Sequence, residues 1–217
     1  DVKAIIENSS KGNFANGSDE QKIGDFYEAF MNVRTRDKKG INPLIPEFKK
    51  IDAIANYSDL AEYFGVANKY GNIIPFQIGV IEDFKDPTQY MLFTWQGGLG
   101  LPDREYYFLE DSKSKEIRSK YVTHIAKMLE LGNVENSTKL ASEIMDLETL
   151  MASNHMKKEL TRDYGKLYNK YAIKDLNKLM PDFDWDSMLK SAGIPNQKNI
   201  TITQVEYIKS LNTIKKK

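Results

Sequence analysis

Residues 96–107 form the most distinctive segment of the chain, with three glycines, a Leu-Pro pair, three charged residues and two tyrosines: Gln96-Gly97-Gly98-Leu99-Gly100-Leu101-Pro102-Asp103-Arg104-Glu105-Tyr106-Tyr107. Glycine adopts backbone angles and allows close approaches that other residues do not. Proline fixes its own φ angle and lacks a backbone donor. The segment therefore predicts a loop of unusual shape that leads into a short helix opening near Pro102.

The sequence before this loop predicts four helices. The first has a short apolar face made by Val2, Ile5 and Ile6. In the other three, apolar residues recur at spacings of three and four behind capping residues, which are Ser18 with Gln21, Asn42 with Pro43, and Ser58 with Asp59. Gly24 lies inside the second helix and predicts that another helix approaches closely there.

The hydrophobic period changes to two just before the loop. The inward-facing set of this predicted strand is Phe76, Ile78 and Val80. A second β-rich run covers residues 90–95, behind the Asp86-Pro87 turn. Alternating patterns separated by a turn are typical of paired strands, so the two runs predict a β-hairpin near residues 73–96.

The sequence after the loop is helical again. Two long helices are predicted. The first begins after Asp111 or Ser112, and its apolar stripe is Tyr121, Ile125, Met128 and Leu129. The second begins after Ser137 or Thr138, and its apolar stripe is Leu140, Ile144, Leu147, Leu150 and Met151. Residues 161–169 read as irregular, and shorter helices are predicted over residues 173–179 and 184–192. An extended run at 200–202 precedes a last helix behind a second capping box, Thr203-Gln204-Val205-Glu206.

Composition excludes several classes of function. The 217 residues are 41% apolar and 29% charged, which is typical of a globular protein. Since 31 acidic residues balance 31 basic ones, no overall field favours nucleic acid or an anionic membrane. The absence of cysteine rules out disulfides, thiol nucleophiles and thiolate metal ligands. The terminal Lys215-Lys216-Lys217 run is typical of a solvated tail.

No membrane span is predicted, because no apolar run approaches about 18 residues. The chain opens inside a predicted helix and without an initiator Met. We therefore expect it to be an excised piece of a longer protein, with residues 1–217 forming one domain.

The residues that could bind metal ions are few. His124 is followed by Ile and His155 by Met, so neither begins a His-Glu-x-x-His zinc motif. The run Asp182-Phe183-Asp184-Trp185-Asp186 resembles the start of a calcium loop, but Ser187 and Gly193 occupy its sixth and twelfth positions. We expect these acids to stabilise the start of the next helix, with Phe183 and Trp185 packing inward.

No acid/base pair or nucleotide site emerges either. Glu143 and Glu148 are five residues apart, about 500° of helical rotation, so they do not share a face. The run Lys157-Lys158-Glu159 is typical of a solvated face. Asp103 stands where a dinucleotide loop needs its third glycine, and we expect Asp103 and Arg104 to hydrogen-bond to neighbouring backbone instead. Residue chemistry alone therefore leaves the function open.

Residues 96–107 resemble the Gly-Leu-x-Leu-Pro-x-Arg-Asp-Tyr-Tyr signature in the N-terminal domain of neprilysin-like zinc metallopeptidases, which include the endothelin-converting enzymes and many bacterial endopeptidases. Glu105 replaces the usual Asp. Other segments resemble the family in the same order along nearly the whole chain: residues 79–87, 143–148, 167–170, 183–185 and the Tyr207 segment.

The resemblance implies a mainly α fold, a multi-helix cap domain with a small β-hairpin, that closes over a catalytic domain following Lys217. The zinc ligands, the general base and the substrate-binding segment of the family all belong to that other domain. We therefore assign no catalytic and no metal-binding residue here, and the substrate-binding residues stay unknown. A structural role is implied for the signature residues Gly98, Gly100, Leu101, Pro102, Arg104, Tyr106 and Tyr107.

Two hypotheses of different class follow. In the first, the chain is the substrate-gating part of a zinc-dependent metalloendopeptidase that hydrolyses oligopeptides outside the cytoplasm, with zinc bound by the parent enzyme only. Its partners are peptide substrates and the catalytic domain, with no nucleic acid. In the second, it is a stand-alone helical module that binds peptides or proteins without catalysis. A His-Glu-x-x-His motif in the reading frame beyond Lys217 distinguishes the two.

Overall fold

The computed structural model describes residues 1–214, so the terminal lysines lie outside the described residues. The chain divides into two compact units, residues 1–48 and 49–217. The first unit contains α1 (Val2–Lys11), α2 (Asp19–Met31), α3 (Val33–Lys39) and a 3₁₀ turn (Asn42–Leu44). Gly24 is buried, and a Cβ added to it would lie 2.3 Å from the Ser9 carbonyl oxygen. The predicted close approach of a second helix is therefore confirmed, and that helix is α1.

The second unit combines a small four-stranded sheet with a larger number of helices. The prediction of a mainly helical fold is therefore confirmed. Its helices are α4 (Ile45–Asp52, which begins in the first unit), α5 (Tyr57–Lys69), α6 (Ser112–Leu131), α7 (Ser137–Asn154), α8 (Tyr164–Leu167), α9 (Trp185–Ser191) and α10 (Val205–Ile214). Short 3₁₀ helices occupy Arg104–Tyr107, Leu160–Arg162 and Ile173–Lys178. Within residues 1–214, no helix combines the length and apolar character needed to cross a lipid bilayer.

Several helix caps differ from the predicted ones by one or two residues. At α5 the cap is Asn56, whose side-chain oxygen accepts from the backbone N–H groups of Ser58 and Asp59 at 2.8 and 3.0 Å. Asparagine caps a helix as well as serine does, so the earlier residue begins the helix. At the start of α10, the hydroxyl of Thr203 donates to the Thr94 carbonyl oxygen across the sheet, because its side chain faces the core.

The sheet has the strand order β1-β2-β4-β3, with β1 at Phe76–Glu82, β2 at Tyr90–Gln96, β3 at Lys170–Ala172 and β4 at Asn199–Ile202. The predicted hairpin is confirmed, because β1 and β2 pair antiparallel from Phe76↔Gln96 to Glu82↔Tyr90. The sheet extends beyond it: β4 pairs parallel with β2, and β3 pairs antiparallel with β4.

The outer edge of β1 is covered by one side chain from α5. The Asn68 amide donates to the Ile78 carbonyl at 3.0 Å and accepts from the Ile78 N–H at 2.8 Å. Phe76 and Ile78 are buried as predicted, but Val80 is 61% exposed. The prediction for Val80 was wrong, because burial along β1 is confined to its first four residues and the strand is exposed from Val80 to Glu82.

The main core lies against this sheet and contains an aromatic cluster. Phe183 and Trp185 pack inward as predicted, each with about 3% of its surface exposed. Their ring centroids are 5.0 Å apart, and that of Phe76 lies 5.7 and 5.3 Å from them. A smaller core lies under the glycine-rich loop and is built on Leu101, Tyr107 and Ala152.

Candidate functional site

The glycine-rich loop forms one wall of a cleft of about 380 Å³. The other walls come from the start of β1, the end of β2 and the segment that follows α7. The cleft exposes groups of mixed chemistry, including Trp95, Arg104, His155 and Lys158. We call this feature the loop cleft and treat it as a candidate site, because the distinctive loop forms one of its walls.

Two glycines give the loop its shape. Gly98 has φ +84°, in the left-handed region, and an added Cβ would lie 2.9 Å from Pro75 Cα. A Cβ on Gly100 would lie 1.7 Å from the Tyr121 hydroxyl oxygen. A side chain at either position would force the loop or its neighbours to move.

A buried carboxylate anchors the loop to the helices behind it. Glu148, on α7 and only 8% exposed, accepts from the hydroxyl of Tyr107, from that of Tyr121 at 2.8 Å, and from the Gly100 N–H at 3.1 Å. The Tyr107 hydroxyl also accepts from the Leu101 N–H at 3.1 Å. We call these groups the Glu148 network.

Both tyrosines of the network stay protonated at neutral pH. Burial, helped by the hydrogen bond to Glu148, raises the pKa of Tyr107 and of Tyr121 well above the usual value. A buried carboxylate with charge-assisted donors is stable where an unpaired one is not. The network therefore holds the loop against α6 and α7 through hydrogen bonds from two neutral hydroxyl groups and one backbone N–H.

Sequence reasoning missed Glu148 because it was weighed only as a partner for Glu143. A usable signal was present, since Glu148 lies four residues after Ile144 and therefore on the predicted apolar stripe of α7. A carboxylate on a buried stripe needs partners. Tyrosines supply two of them.

Arg104 links the loop to the end of α7. Its Nε donates to the Ala152 carbonyl at 3.2 Å, and its Nη1 pairs with Glu105 at 2.7 Å. The Asp103 carboxylate accepts from the Glu105 N–H at 2.9 Å and caps the 3₁₀ helix. Pro102 is exposed, and Tyr106 is half-buried with its carbonyl accepting from Arg118 at 2.9 Å.

The two histidines lie in different surroundings. His124 is exposed on α6, whereas the His155 ring lies edge-on to Tyr207 with centroids 4.4 Å apart. His155 Nε2 is 3.0 Å from the Gly97 carbonyl oxygen. Burial lowers the pKa of His155 to about 4, so the neutral ring donates its Nε2 proton to Gly97 at neutral pH. Within residues 1–214, no group of three or more acidic or histidine side chains could hold a metal ion.

We expect His155 to make stability depend on pH. Its pKa of about 4 in the folded chain lies below the value of about 6.5 expected after unfolding. The unfolded chain therefore binds the proton more tightly, and stability present above pH 6.5 is lost as the pH falls towards 4. Allowing for solvent around the half-buried ring, the loss between pH 7 and 4.5 is about 2 kcal/mol. Urea unfolding at several pH values measures it: His155→Gln is expected to remove this slope, and His124→Gln to leave it unchanged.

The remaining charged motifs have structural surroundings. Asp184 caps α9 by accepting from the Ser187 N–H at 2.9 Å, and it also accepts from the Ser58 hydroxyl at 2.7 Å. This agrees with the helix-start role expected for the acidic run. Lys157, Lys158 and Glu159 are exposed, as predicted for a solvated face.

Comparison with known proteins identifies the class to which this fold and loop belong. Residues 1–217 match the N-terminal part of Peptidase family M13, and the chain belongs to that family. The resemblance drawn from residues 96–107 is therefore confirmed.

Individual relatives agree with this assignment. Rat endothelin-converting enzyme 1 is 26% identical over 98% of this chain. The inhibitor complex of the zinc metalloprotease Zmp1 from Mycobacterium tuberculosis is 30% identical over 98% of the chain, with a TM-score of 0.89. PepO from Lactobacillus rhamnosis, at 15% identity and a TM-score of 0.73, shares the fold. The chain spans 29% of the rat enzyme and 33% of Zmp1, about a third of each relative.

Proposed function

We propose that this chain is the substrate-gating part of a zinc-dependent metalloendopeptidase that hydrolyses oligopeptides, and that it carries none of the catalytic residues itself. The observation that supports this most directly is the match to the zinc metalloprotease Zmp1 along 98% of the chain. The match accounts for a third of that enzyme, so the chemistry is proposed to reside in the remainder of the parent protein, beyond residue 217.

The described residues do not fit a zinc site. His155 already hydrogen-bonds to the Gly97 carbonyl oxygen. Glu148 already accepts hydrogen bonds from two tyrosine hydroxyls and from the Gly100 N–H. Among residues 1–214, His124 has no set of acidic or histidine side chains close enough to complete a metal site with it. No catalytic step is therefore assigned to this part of the chain, and zinc is proposed to bind the parent enzyme elsewhere.

The proposed contribution of this chain is to limit access. A helical wall over a catalytic site excludes water and admits short peptides more readily than folded proteins. A wall of this kind has to keep its shape. Beside the loop cleft, the Glu148 network and the hydrogen bond from Arg104 to α7 hold the loop in place. The structural role assigned to Gly98, Gly100, Leu101, Pro102, Arg104, Tyr106 and Tyr107 is part of this proposal, as is a location outside the cytoplasm.

A peptidase assay tests the proposal. The zinc-loaded full-length protein is expected to cleave a peptide of about ten residues, and to leave the same sequence uncut within a folded protein. The isolated chain is expected to bind no stoichiometric zinc and to show no turnover. Turnover by the isolated chain that disappears in His124→Ala or His155→Ala would overturn the assignment, and equal cleavage of both substrates would overturn the gating role.

A further inference from the structure

The sequence contains a single Asn-Gly pair, Asn16-Gly17, in the segment that joins α1 to α2. Both residues are exposed, and they are the central residues of a turn in which the Ser18 N–H donates to the Ala15 carbonyl oxygen at 3.0 Å. Gly17 has φ +85°, and a positive φ at this position is what a type II turn requires. The pair therefore forms a surface turn directly before the first residue of α2.

An Asn-Gly pair reacts with itself in water. The backbone nitrogen of the glycine loses its proton to hydroxide and attacks Cγ of the asparagine side chain. An N–Cγ bond forms, the bond from Cγ to Nδ2 breaks, and ammonia leaves with a proton from water, so that a cyclic imide remains. Water then opens the imide at either of its two carbonyl carbons and gives aspartate or isoaspartate. One water is consumed and one ammonia released, with no oxidation or reduction. Glycine favours the attack because it carries no side chain that would obstruct it.

The Gln21 side chain holds the reacting nitrogen in the folded chain. Its Oε1 accepts from the Gly17 N–H at 2.9 Å, and its Nε2 donates to the Asp25 carboxylate one turn further along α2. The Gln21 N–H in turn donates to the Ser18 hydroxyl oxygen at 3.2 Å, in the capping box that begins α2. The Gly17 nitrogen cannot turn towards Cγ while this hydrogen bond is made, so the reaction requires local opening of the turn.

We propose that Asn16 is a site of self-modification, which converts to aspartate and isoaspartate through a cyclic imide with Gly17, and that the Gln21 hydrogen bond limits the rate. This inference does not depend on the proposed function. Both products place a negative charge just before α2, and isoaspartate also lengthens the backbone by one methylene group. That extra length alters the spacing between Ala15 and Ser18 on which the turn depends, so the modification loosens the connection between α1 and α2.

Peptide mapping of the full-length protein tests the proposal. The tryptic peptide of residues 12–22 carries Asn16 and also Asn13, which is exposed too but precedes Phe14, and Asn13 is therefore an internal control. After incubation at neutral pH, tandem mass spectrometry follows the conversion of each amide to a carboxylate, and chromatography separates isoaspartate from aspartate. We expect Asn16 to convert about tenfold faster than Asn13, with isoaspartate among the products, because the Phe14 side chain obstructs the attack. No conversion at position 16, equal rates at both positions, or aspartate without isoaspartate would overturn the proposal.

Two variants test the role of the hydrogen bond. Gln21→Ala removes the acceptor of the Gly17 N–H, and Glu20→Ala makes a matched truncation at the adjacent exposed position of the same helical turn. We expect Gln21→Ala to speed conversion about threefold to tenfold, the effect of losing one hydrogen bond, and Glu20→Ala to stay within about twofold of the parent. In urea the parent and both variants are expected to convert equally fast, since the turn is no longer formed. Equal acceleration by both variants, or a difference that persists in urea, would contradict the assigned role of Gln21.

Discussion

Glu148→Leu is expected to lower the free energy of unfolding by about 4 kcal/mol. The substitution leaves the Tyr107 hydroxyl and the Gly100 N–H without their acceptor, and Tyr107 is only 5% exposed. Each buried group left unsatisfied costs about 1–3 kcal/mol. The volume of leucine fills the space, so the loss reports on polar contacts rather than on a cavity. Urea unfolding of the 217-residue chain, followed by circular dichroism, measures the change.

Three further variants separate the contribution of the Glu148 network from that of helix propensity. Glu143→Leu makes the same change one turn and a half earlier on α7, at a side chain that is 54% exposed, and is expected to shift stability by less than about 0.5 kcal/mol. Glu148→Gln keeps an acceptor and is expected to cost about 1 kcal/mol. Combining Tyr107→Phe with Glu148→Leu should be clearly non-additive, since both remove the same hydrogen bond. Additive losses, or equal losses at positions 143 and 148, would contradict the described network.

Local patterns predicted the parts of the fold that local physics determines. The period-two run gave β1, whose residues Phe76 and Ile78 face the core, and the turn at Asp86-Pro87 gave the antiparallel pairing. The cap at Asp111 and the stop at Gly132 bound α6 as expected. These features depend on residues that are close in sequence, so the spacing of apolar and capping residues is enough to predict them.

The contacts between segments that are far apart in the sequence could not be predicted from residue spacing. The predicted extended run at residues 200–202 is confirmed as part of β4, but its partner β2 lies about a hundred residues away in the sequence. β3 has only three residues, which are too few to display a period. The Glu148 network likewise draws on α7, α6 and the loop at once. Sequence spacing predicts which face of a helix is apolar, but not which distant donors reach a carboxylate on that face.

The loop of residues 96–107 combines local features that the sequence predicts with long-range contacts that it does not. Its glycines and Asp103 were recognisable locally, and they shape a turn into the 3₁₀ helix as expected. Its partners are distant: Gly98 lies against Pro75, Gly100 against Tyr121, and Arg104 against the Ala152 carbonyl. Residues from several distant elements therefore contact this short loop, and spacing along the sequence does not reveal those contacts.

Gly65→Ala is expected to destabilise the chain by about 3 kcal/mol, because α5 and α9 touch through their backbones at this point. An added Cβ would lie 2.0 Å from the Ser191 hydroxyl oxygen, 2.3 Å from the Met188 carbonyl oxygen and 2.9 Å from the Ala192 nitrogen. Overpacking of this kind costs about 1–3 kcal/mol or more, and the better helix propensity of alanine returns at most about 1 kcal/mol. Moving α9 would also disturb Trp185 and Met188, which are 3% and 0% exposed in the core.

The matched control is Gly165→Ala in α8, where the nearest atom to an added Cβ is the Asp163 side-chain oxygen at 3.2 Å. We expect this variant to stay within about 0.5 kcal/mol of the parent chain, since the glycine is exposed and helical. Combining Gly65→Ala with Ser191→Ala separates the two kinds of contact. Removing the hydroxyl leaves the Met188 carbonyl in place, so the double variant should recover less than half of the loss. Full recovery would mean that only the serine side chain, and not the backbone of α9, limits how closely the two helices pack.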